Sequence, residues 1–272
     1  MSGTDKYAVI GHPIAHSKSP VIHKLFAEQT GEDISYEAID VPVDELNAAV
    51  TRFITLGGRG LNVTVPHKQN VLDLMDDLSE RAELAGAVNT IIRTEEGTLR
   101  GDNTDGIGLI RDLHDNLGVD LENTNVLVLG AGGAARGILP SLAELRPDEL
   151  VIANRTLERA IEIADTFADI GRIKARGFDE LDGQAFGVVI NATSAGLEGK
   201  LAPFPESIVD ANTICYDLSY SMRDTPFVEW AKQHDCKAVY QGWGMLVEQA
   251  AESFLLWRGV RPETAEVRKQ LP

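Results

Sequence analysis

The sequence predicts a protein of the α/β class with two domains and mostly parallel sheets. Segments with strand and helix patterns alternate through almost the whole chain, and such alternation with short links is typical of parallel strands covered by helices. The chain has 272 residues, which is enough for two modest domains. A near-continuous apolar run at Asn125–Leu129 opens a second unit, so we expect the boundary between the halves near residues 103–118.

In the first half, strand-like and helix-like apolar patterns are bounded by glycine, proline and capping residues. The expected strands are 7–10, 34–39, 61–65, 88–93 and 99–101, the last two joined by a hairpin turn at Glu96-Gly97. The expected helices are 21–30 behind an N-cap at Ser19, 44–56 with Asp44 as its cap, 67–78, 80–85 and 106–117.

The second half continues the alternation with strands that read as buried apolar runs. These expected strands are 125–129, 150–153, 173–175, 187–191, 213–217 and 238–240, and a last helix covers about residues 245–257. No internal repeat or low-complexity segment interrupts the pattern.

The charge balance is strongly acidic, with 42 acidic against 25 basic residues and a net charge of −17. Nucleic acid is therefore not an expected partner, because phosphate binding needs a positive surface. The acidic residues are spread along the chain, and such a distribution keeps a protein soluble in high salt. We therefore expect a salt-adapted, halophile-like protein. A merely acidic protein from a low-salt source is the alternative.

Compartment and metal content are also constrained by the sequence. No run of about 18 apolar residues is present, so no membrane partner is expected. The first residues, MSGTDKYAVIGHP, lack the pattern of a secretory signal. Cys215 and Cys236 form no spaced pattern, which favours reduced thiols and a cytoplasmic location. His12, His16 and His23 are scattered without metal-ligand spacing, so no metal site is expected.

A glycine-rich turn follows the strand 125–129 and opens a helix, with the residues Gly130, Ala131, Gly132, Gly133 and Ala134. In this context the pattern Gly-x-Gly-x-x-Ala is typical of dinucleotide binding by a Rossmann-type, doubly wound sheet. The first glycine makes the tight turn, and the second lets backbone N–H groups approach a pyrophosphate at the helix N-terminus. A tight turn without a ligand is the alternative.

The residues after the next strand distinguish the two nicotinamide cofactors. An NAD-selective site has a carboxylate near this point, which accepts hydrogen bonds from the ribose. This chain instead has Asn154, Arg155, Thr156 and, further along, Arg159. Because a guanidinium and a hydroxyl suit a 2′-phosphate, the sequence predicts NADP as the cofactor. An exposed loop arginine followed by Thr156 as a helix N-cap is the alternative.

Four polar clusters lie outside the glycine-rich unit. They are Ser17 and Ser19 in HSKSP, Thr64 and Lys68 in NVTVPHK, Asn89 in GAVNT, and Asp105 in GDNTDG. In an extended segment Ser17 and Ser19 point to the same side, although Ser19 and Asp105 also read as helix caps. Pro66 has no N–H for a ladder, so we expect the strand to stop there and to present Lys68 at a cleft. Together these groups can hold a polyhydroxylated small molecule.

These motifs together resemble the shikimate dehydrogenase family. The resemblance rests on YAVIGHPIAHSKSP, GLNVTVPHK, LAGAVNTI, GDNTDGIGL, LGAGGAARG, ANRTLERA, INATSAG and GMLVEQAAESFLLWRG, spread over nearly the whole chain. It implies a reversible, NADPH-dependent reduction of 3-dehydroshikimate to shikimate in chorismate and aromatic amino-acid biosynthesis. It also implies an α/β substrate-binding domain of residues 1–105, to which a C-terminal helix in residues 243–272 returns, and a Rossmann-type NADP-binding domain of residues 106–242. We expect a monomer or a homodimer.

The resemblance also implies roles for single residues. The substrate carboxylate would meet Ser17 and Ser19, and the ring hydroxyls would meet Thr64, Lys68, Asn89, Asp105 and Gln249, with Tyr220 also reaching the substrate. Residues 130–134 would hold the pyrophosphate, and the adenosine phosphate would lie at Asn154, Arg155, Thr156 and Arg159. The nicotinamide would be flanked by Thr193, Leu218 and Gly242. Leu218 and His67 depart from the family, and His67 beside Lys68 leaves a pH effect open.

Hydride transfer to a ketone makes an alkoxide, which needs a proton. Lys68 is the predicted proton donor, and in the reverse direction it accepts the proton from the alcohol. A charged Lys68 also polarises the carbonyl, with Asp105 orienting it.

Three other interpretations remain at this point. A quinate/shikimate dehydrogenase of the same fold would act catabolically. A nucleotide-sensing or substrate-binding protein without catalysis is disfavoured, because both Lys68 and Asp105 are present. A structural subunit without a ligand leaves the glycine-rich turn unexplained.

Overall fold

The computed structural model describes residues 3–271, apart from the side chains of residues 197 and 198. The chain forms two compact units, the first from residues 3–109 together with Leu246–Leu271 and the second from Ile110–Met245. Residues 1, 2 and 272, which the sequence analysis assigns to the substrate-binding domain, lie outside the described residues. The expected α/β class is confirmed, because each unit has a six-stranded, parallel-rich sheet with helices packed against it.

The sheet of the first unit is mixed. Its strands are β1 (Asp5–Gly11), β2 (Ile34–Asp40), β3 (Gly58–Val63), β4 (Asp77–Leu78), β5 (Thr90–Arg93) and β6 (Leu99–Asp102), in the spatial order β2-β1-β3-β5-β6-β4. The pairs β1–β2, β1–β3 and β4–β6 are parallel, whereas β5 runs antiparallel to β3 and β6. The parallel part brings the loops that follow β1 and β3 to one edge of the sheet.

Helices cover this sheet and enclose its core. They are α1 (Ser19–Thr30), α2 (Leu46–Thr55), α3 (Glu80–Ala85), α4 (Asp105–Arg111), α8 (Trp243–Arg258) and α9 (Ala265–Arg268). One apolar cluster includes Leu61, Val63 and Ile91 of the sheet, and another joins Phe26 of α1 to Phe254 of α8. The chain leaves the first unit inside α4 and returns to it inside α8.

The sheet of the second unit is parallel throughout its described pairs. Its strands are β7 (Asn125–Leu129), β8 (Glu149–Asn154), β9 (Ile173–Gly177), β10 (Val188–Asn191), β11 (Ile214–Asp217) and β12 (Ala238–Gln241), in the order β12-β11-β10-β7-β8-β9. The helices between them are α5 (Gly133–Glu144), α6 (Leu157–Thr166) and α7 (Pro226–Gln233). This is the doubly wound strand order, in which the direction of winding reverses between β7 and β10.

The helix expected over residues 67–78 is wrong. The structure has turns there, a 3₁₀ turn at Leu72–Leu74 and the short strand β4, which pairs with β6. The residues that suggested a helical face, among them Val71 and Met75, instead pack into the cluster around Leu61. Their spacing therefore comes from tertiary burial and not from a helical period.

The strand expected over residues 61–65 is Gly58–Val63, so it ends before Pro66 is reached. In the ladder, β1 last pairs with β3 at Val63, and β5 begins opposite Asn62. Val65, which we expected on the apolar face, is 42% exposed. Two backbone bonds continue beyond the strand, from the Thr64 N–H to the Ile10 carbonyl at 2.9 Å and from the His12 N–H to the Val65 carbonyl at 3.0 Å, so the contact with the β1 segment reaches the residue before Pro66.

Two expected helix caps are also corrected. Ser19 is the first residue of α1, and Lys18, with φ −96° and ψ −4°, occupies the N-cap position. The segment around Lys18 is therefore not extended, and the alternation argument for Ser17 and Ser19 does not hold. Asp44 lies inside a 3₁₀ turn, Val43–Glu45, because the chain already turns after Pro42 and α2 begins only at Leu46.

The helix expected over residues 106–117 begins one residue earlier and changes its winding. It is α-helical as α4 and continues as a π-helical turn at Asp112–Asn116, closed by a bond of 3.0 Å from the Leu117 N–H to the Asp112 carbonyl. In residues 3–271 no helix is long and apolar enough to cross a bilayer.

Candidate active site

Lys68 and Asp105 form an ion pair in the first unit. Lys68 lies in the turn after β3, and Asp105 is the first residue of α4. The distance from Lys68 Nζ to Asp105 Oδ2 is 2.5 Å, and the two side chains are 13% and 5% exposed. The ammonium therefore meets one carboxylate in a site from which most water is excluded, where such a charge-assisted bond is strong.

Asn89 holds the other oxygen of the same carboxylate. Its Nδ2 donates to Asp105 Oδ1 at 2.8 Å. The side-chain carbonyl oxygen of Asn89, Oδ1, accepts from the Thr104 N–H at 2.9 Å and from Thr90 Oγ1 at 2.8 Å. The Asn89 amide is thus fixed with its nitrogen toward Asp105. The Asp105 carboxylate is therefore bonded through one oxygen to Lys68 and through the other to Asn89.

Gln249 joins this group from α8. The Asn89 Nδ2 lies 3.3 Å from Gln249 Oε1, and Gln249 Nε2 donates to the Leu246 carbonyl at 2.8 Å. The buried Ser253, one turn further along α8, bonds Thr90 Oγ1 at 2.8 Å. Four residues that are distant in sequence, Lys68, Asn89, Asp105 and Gln249, therefore meet in one polar cluster.

The expected carboxylate ligands and Thr64 follow the strands β1 and β3, with Ser19 at the start of α1. Ser17 and Ser19 follow β1, and the Ser19 N–H donates to Ser17 Oγ at 3.3 Å. Thr64 follows β3, where its N–H donates to the Ile10 carbonyl at 2.9 Å. None of the described contacts joins the side chain of Ser17, Ser19 or Thr64 to Lys68. The structure shows only that these residues follow two neighbouring strands, β1 and β3.

His67 and Tyr220 are placed differently from the cluster. The His67 ring is fully buried, and its Nε2 lies 2.7 Å from the Val41 carbonyl oxygen. No contact between this ring and Lys68 is found in the part of the chain that the structure describes. Tyr220 belongs to the second unit, where its ring centroid lies 4.6 Å from that of Trp243.

The glycine-rich turn lies at the carboxyl end of β7. Gly130 has a φ of +104°, and a Cβ there would lie 3.0 Å from the backbone of Ala192, so only glycine fits without strain. A Cβ on Gly132 would meet nothing within 4 Å. Gly132 is also the N-cap of α5, and no side chain caps the helix amides. The amides at the start of α5 therefore have no side-chain cap, at the residue where this open space lies.

The residues after β8 are exposed and carry positive charge. Asn154 Nδ2 donates to the Thr156 carbonyl at 2.9 Å, which shapes the loop. Thr156 is the N-cap of α6, but its hydroxyl makes no capping bond. Arg155 and Arg159 are exposed, and neither is ion-paired with a carboxylate of the described residues.

The three residues expected at the nicotinamide follow consecutive strands of the sheet. Thr193 Oγ1 donates to Asn191 Oδ1 at 2.7 Å after β10. Leu218 follows β11, where its N–H donates to the Asn191 carbonyl at 2.9 Å. Gly242 follows β12, and a Cβ there would lie 2.4 Å from the Leu218 carbonyl oxygen. Burial raises the pKa of the neighbouring Asp217 carboxyl.

This edge of the second sheet fits a dinucleotide with a 2′-phosphate. The turn at β7 has uncapped N–H donors at the start of α5 and open space at Gly132, and the loop after β8 together with the first turn of α6 offers two exposed guanidinium groups. Both lie at carboxyl ends of strands beside the point where the winding reverses, which is where doubly wound sheets bind nucleotides. No group of three possible metal ligands is found among residues 3–271.

Several residues of the site were not anticipated from sequence. Thr90 and Thr104 bond the Asn89 side chain, Ser253 bonds Thr90, and all three are fully buried. Asp102 lies in the same GDNTDG motif as Asp105, but nothing in the motif distinguishes a structural from a reacting carboxylate. Only contacts between distant segments identify these four residues.

Comparisons with known proteins agree along the whole chain. Three family models match: "Shikimate dehydrogenase substrate binding domain" over residues 9–91, "Shikimate / quinate 5-dehydrogenase" over residues 112–198, and "Shikimate 5'-dehydrogenase C-terminal domain" over residues 242–271. A shikimate dehydrogenase (NADP(+)) of Alkalilimnicola ehrlichii is 56% identical over 264 residues, which cover 97% of each chain.

Solved structures are also similar over nearly the whole chain. An Ael1 enzyme from Pseudomonas putida superposes with a TM-score of 0.89 at 44% identity, covering 98% of both chains. A shikimate 5-dehydrogenase from Thermus thermophilus, solved in complex with NADP(H) and shikimate, superposes with a TM-score of 0.86 at 34% identity, covering 97% of both chains.

Proposed function

The chain belongs to the shikimate dehydrogenase family, and from this premise we propose that Lys68 and Asp105 are the acid–base pair of its reaction. The protein is an NADP-dependent oxidoreductase that acts on a CH–OH group. It catalyses the reversible reduction of 3-dehydroshikimate to shikimate in aromatic amino-acid biosynthesis.

The observation that supports the proposal is the contact of 2.5 Å between Lys68 Nζ and Asp105 Oδ2. The chemistry that the bound cofactor supplies is hydride transfer to the ketone carbon. A charged Lys68 beside the ketone oxygen polarises the carbonyl and then donates its proton to the developing alkoxide. Asp105 holds the ammonium in place, and Asn89 holds Asp105. In the reverse direction Lys68 accepts the proton of the alcohol.

The remaining polar groups are proposed as binding residues. The hydroxyls of Ser17 and Ser19 would donate hydrogen bonds to the substrate carboxylate. No positively charged side chain is assigned to that carboxylate. The ring hydroxyls would be bound by Thr64, Asn89 and Gln249, together with the reacting pair, and Tyr220 would also contact the substrate. Donors and acceptors of this kind recognise a polyhydroxylated ring, because each hydroxyl needs both.

For the cofactor, we propose that residues 130–134 bind the pyrophosphate through backbone N–H groups. The 2′-phosphate would be bound by Asn154, Arg155, Thr156 and Arg159. Two exposed guanidinium groups without ion-pair partners among the described residues support this assignment. Thr193, Leu218 and Gly242 would line the nicotinamide. In this assignment residues 1–105 with 243–272 bind the substrate, and residues 106–242 bind NADP.

The proposed role of Lys68 is tested with Lys68→Ala. We expect kcat to fall by roughly two to four decades with little change in the KM for 3-dehydroshikimate, because the variant loses the general acid and keeps the binding groups. The measurement is NADPH oxidation followed by absorbance. Lys24→Ala is the matched control, since Lys24 is an exposed lysine of the same unit whose side chain is 75% accessible. A Lys68→Ala variant with most of its turnover would refute the assignment.

Two further measurements separate the alternatives. Rates with shikimate and quinate, each with NADP+ and NAD+, distinguish biosynthetic from catabolic use of the same site. NADPH binding without any turnover of 3-dehydroshikimate would instead indicate a binding protein that has lost catalysis. The ion pair of Lys68 and Asp105 argues for turnover.

We also propose a cytoplasmic location and a monomer or homodimer. The location is supported by the thiols of Cys215 and Cys236, which are free although their sulfur atoms lie 3.6 Å apart. Such a pair is typical of a reducing compartment.

A further inference from the structure

A second buried carboxylate, Asp102, lies three residues before Asp105 and has no part in the proposed proton transfer. Its side chain is 6% exposed. Arg81 of α3 binds it with two prongs, from Nε to Oδ1 at 3.0 Å and from Nη2 to Oδ2 at 3.0 Å. A bidentate pair of this kind fixes direction as well as distance, because the guanidinium fork is planar and rigid.

The carboxylate of Asp102 also binds the start of the next turn. Its Oδ1 accepts from Ser79 Oγ at 2.7 Å and from the Asn103 N–H at 2.6 Å. Asn103 is the first residue of the turn between β6 and α4. Asp102 therefore sets the path along which the chain leaves β6.

Asn103 passes this constraint on to Asp105. Its Oδ1 accepts from the Asp105 N–H at 3.1 Å, and its Nδ2 donates to the Ala87 carbonyl at 2.9 Å. Asp102 thus holds the backbone of Asn103, and the side chain of Asn103 holds the backbone of Asp105. Both carboxylate oxygens of Asp105 then point to Lys68 and Asn89.

The main chain of Asp102 supports the same cluster. Its carbonyl oxygen accepts from the Asn89 N–H at 3.0 Å, and the adjacent Val88 N–H donates to the Lys68 carbonyl at 2.8 Å. Asp102 is therefore bonded through its main chain to Asn89, and Val88, the residue before Asn89, is bonded to Lys68.

Arg81 is itself held from its other side. Its Nη1 donates to Glu252 Oε1 at 3.1 Å, and Glu252 lies on α8 with its side chain 9% exposed. Arg81 therefore bonds α8 as well as β6.

We propose that the pair of Arg81 and Asp102 is a positioning device for the reaction and acts through Asp105. It keeps the Asp105 carboxylate at the point where it can hold Lys68 and accept from Asn89. Arg81 and Asp102 are positioning residues and not catalytic ones. The inference rests on the proposed function, because it requires Asp105 to take part in the proton transfer.

A buried ion pair with a purely structural role makes a different prediction. In both cases removal of the charge on Asp102 lowers the stability of the fold, since the Arg81 fork loses one of its two carboxylate acceptors. Only a positioning role makes the kinetic effect of that change depend on the carboxylate of Asp105. A double-mutant cycle measures this dependence.

The experiment combines Asp102→Asn with Asp105→Asn and measures kcat at saturating 3-dehydroshikimate and NADPH. In the wild-type background we expect Asp102→Asn to lower kcat by roughly 10- to 100-fold, with the KM for NADPH unchanged. In the Asp105→Asn background we expect the same change to lower kcat by less than about threefold, because the group that it positions is already gone.

Glu252→Gln is the matched control. It removes the carboxylate charge that Arg81 Nη1 contacts and leaves the two hydrogen bonds from Arg81 to Asp102 in place. We expect this variant to lose stability and to keep kcat within about twofold of the wild type. Thermal unfolding shows that each variant is folded at the assay temperature. If Asp102→Asn does not fold, Arg81→Lys replaces it in the cycle, because a lysine has no fork to offer.

The outcomes are distinguishable. Equal losses of kcat in the two backgrounds, or no loss in the wild-type background, overturn the inference and leave the proposed function standing. Wild-type kcat in the single variant Asp105→Asn overturns the proposed function, and the inference with it.

Discussion

His23 is an uncharged histidine enclosed by aromatic rings. Its ring stacks on Tyr36 at a centroid distance of 4.1 Å with an angle of 7° between the planes, and Phe26, Phe254 and Trp257 surround it. Burial lowers its pKa to about 3. A histidine in the unfolded chain has a pKa of about 6.5. Folding therefore excludes a proton that the unfolded chain takes up in mild acid.

The sign of the effect on stability follows from this difference. Above about pH 6.5 the His23 imidazole is neutral in both the folded and the unfolded chain, so its burial does not make stability depend on pH. Below about pH 6.5 the imidazole is protonated only in the unfolded chain. The free energy of unfolding should thus fall by up to about 1.4 kcal/mol per pH unit between about pH 6.5 and pH 3 because of His23 alone.

We predict that His23→Phe reduces this acid sensitivity. Urea unfolding at about pH 7.5 and about pH 4.5 should show a smaller loss of stability in the variant than in the wild type, by roughly 2–3 kcal/mol. His16→Gln is the control, because His16 is an exposed histidine of the same unit. Equal losses in His23→Phe and the wild type would contradict the burial of a neutral imidazole.

Single residues also show how far sequence reasoning reaches. Lys68 and Asp105 could be named because their motifs are local and resemble a known family. Arg81 and Asp102 could not, because their pairing joins α3 to β6 and exists only once the chain has folded. His67 was expected beside the chemistry, yet its ring bonds the Val41 carbonyl. Sequence adjacency to Lys68 did not determine where that side chain points.

At the scale of elements, the turn between β7 and α5 separates what the fold needs from what a ligand needs. Gly130 is required by its backbone, with a φ of +104° and Ala192 at contact distance. Gly132 has an ordinary φ of −103° and open space where a Cβ would stand. The fold therefore gives no reason for glycine at position 132, and a bound pyrophosphate does.

We predict that Gly132→Ala weakens NADPH binding by about tenfold or more while the free energy of unfolding stays within about 1 kcal/mol of the wild type. Gly130→Ala should instead lower the free energy of unfolding by roughly 1–3 kcal/mol. Fluorescence titration with NADPH and urea unfolding measure the two effects. Wild-type affinity in Gly132→Ala would mean that no phosphate lies over this turn.

Elements of the second unit were the easiest to predict. Strands such as β7 and β10 are buried on both faces, so they read as continuous apolar runs between turns. The segment 67–78 was misread because its apolar side chains are gathered by a cluster that α2 and the first sheet also form. The two cases differ in whether the pattern has a local or a tertiary cause.

At the scale of the whole molecule, the net charge of −17 is the dominant feature. Like charges on one surface repel each other, and this repulsion destabilises the folded state most when salt is low. The Debye length falls from about 10 Å at ~0.1 M to about 3 Å at ~1 M, so salt should remove much of the cost.

We predict that the unfolding midpoint rises as KCl increases from about 0.05 M to about 1 M, and that shikimate oxidation persists in molar KCl. Thermal unfolding and the absorbance assay at matched salt concentrations test this. An equal midpoint at all concentrations would favour a merely acidic protein without adaptation to salt.

The division into two units is predicted by the chain length and the apolar run at 125–129, whereas the return of the chain to the first unit through α8 is implied only by the resemblance. Apolar patterns identify elements, but they do not say which unit a late helix joins. In the structure α8 supplies Gln249 and Ser253 to the cluster around Asn89, and this is a contact that only the complete fold creates.

The central claim is that Lys68 gives its proton to the substrate oxygen, and Lys68→Arg tests it most directly. An arginine keeps the positive charge and can still pair with Asp105, but its pKa is too high for it to serve as a proton donor. The account predicts that kcat for the reduction of 3-dehydroshikimate in Lys68→Arg falls nearly as far as in Lys68→Ala. A kcat within about tenfold of the wild type would show that charge alone is sufficient, and would contradict proton transfer by Lys68.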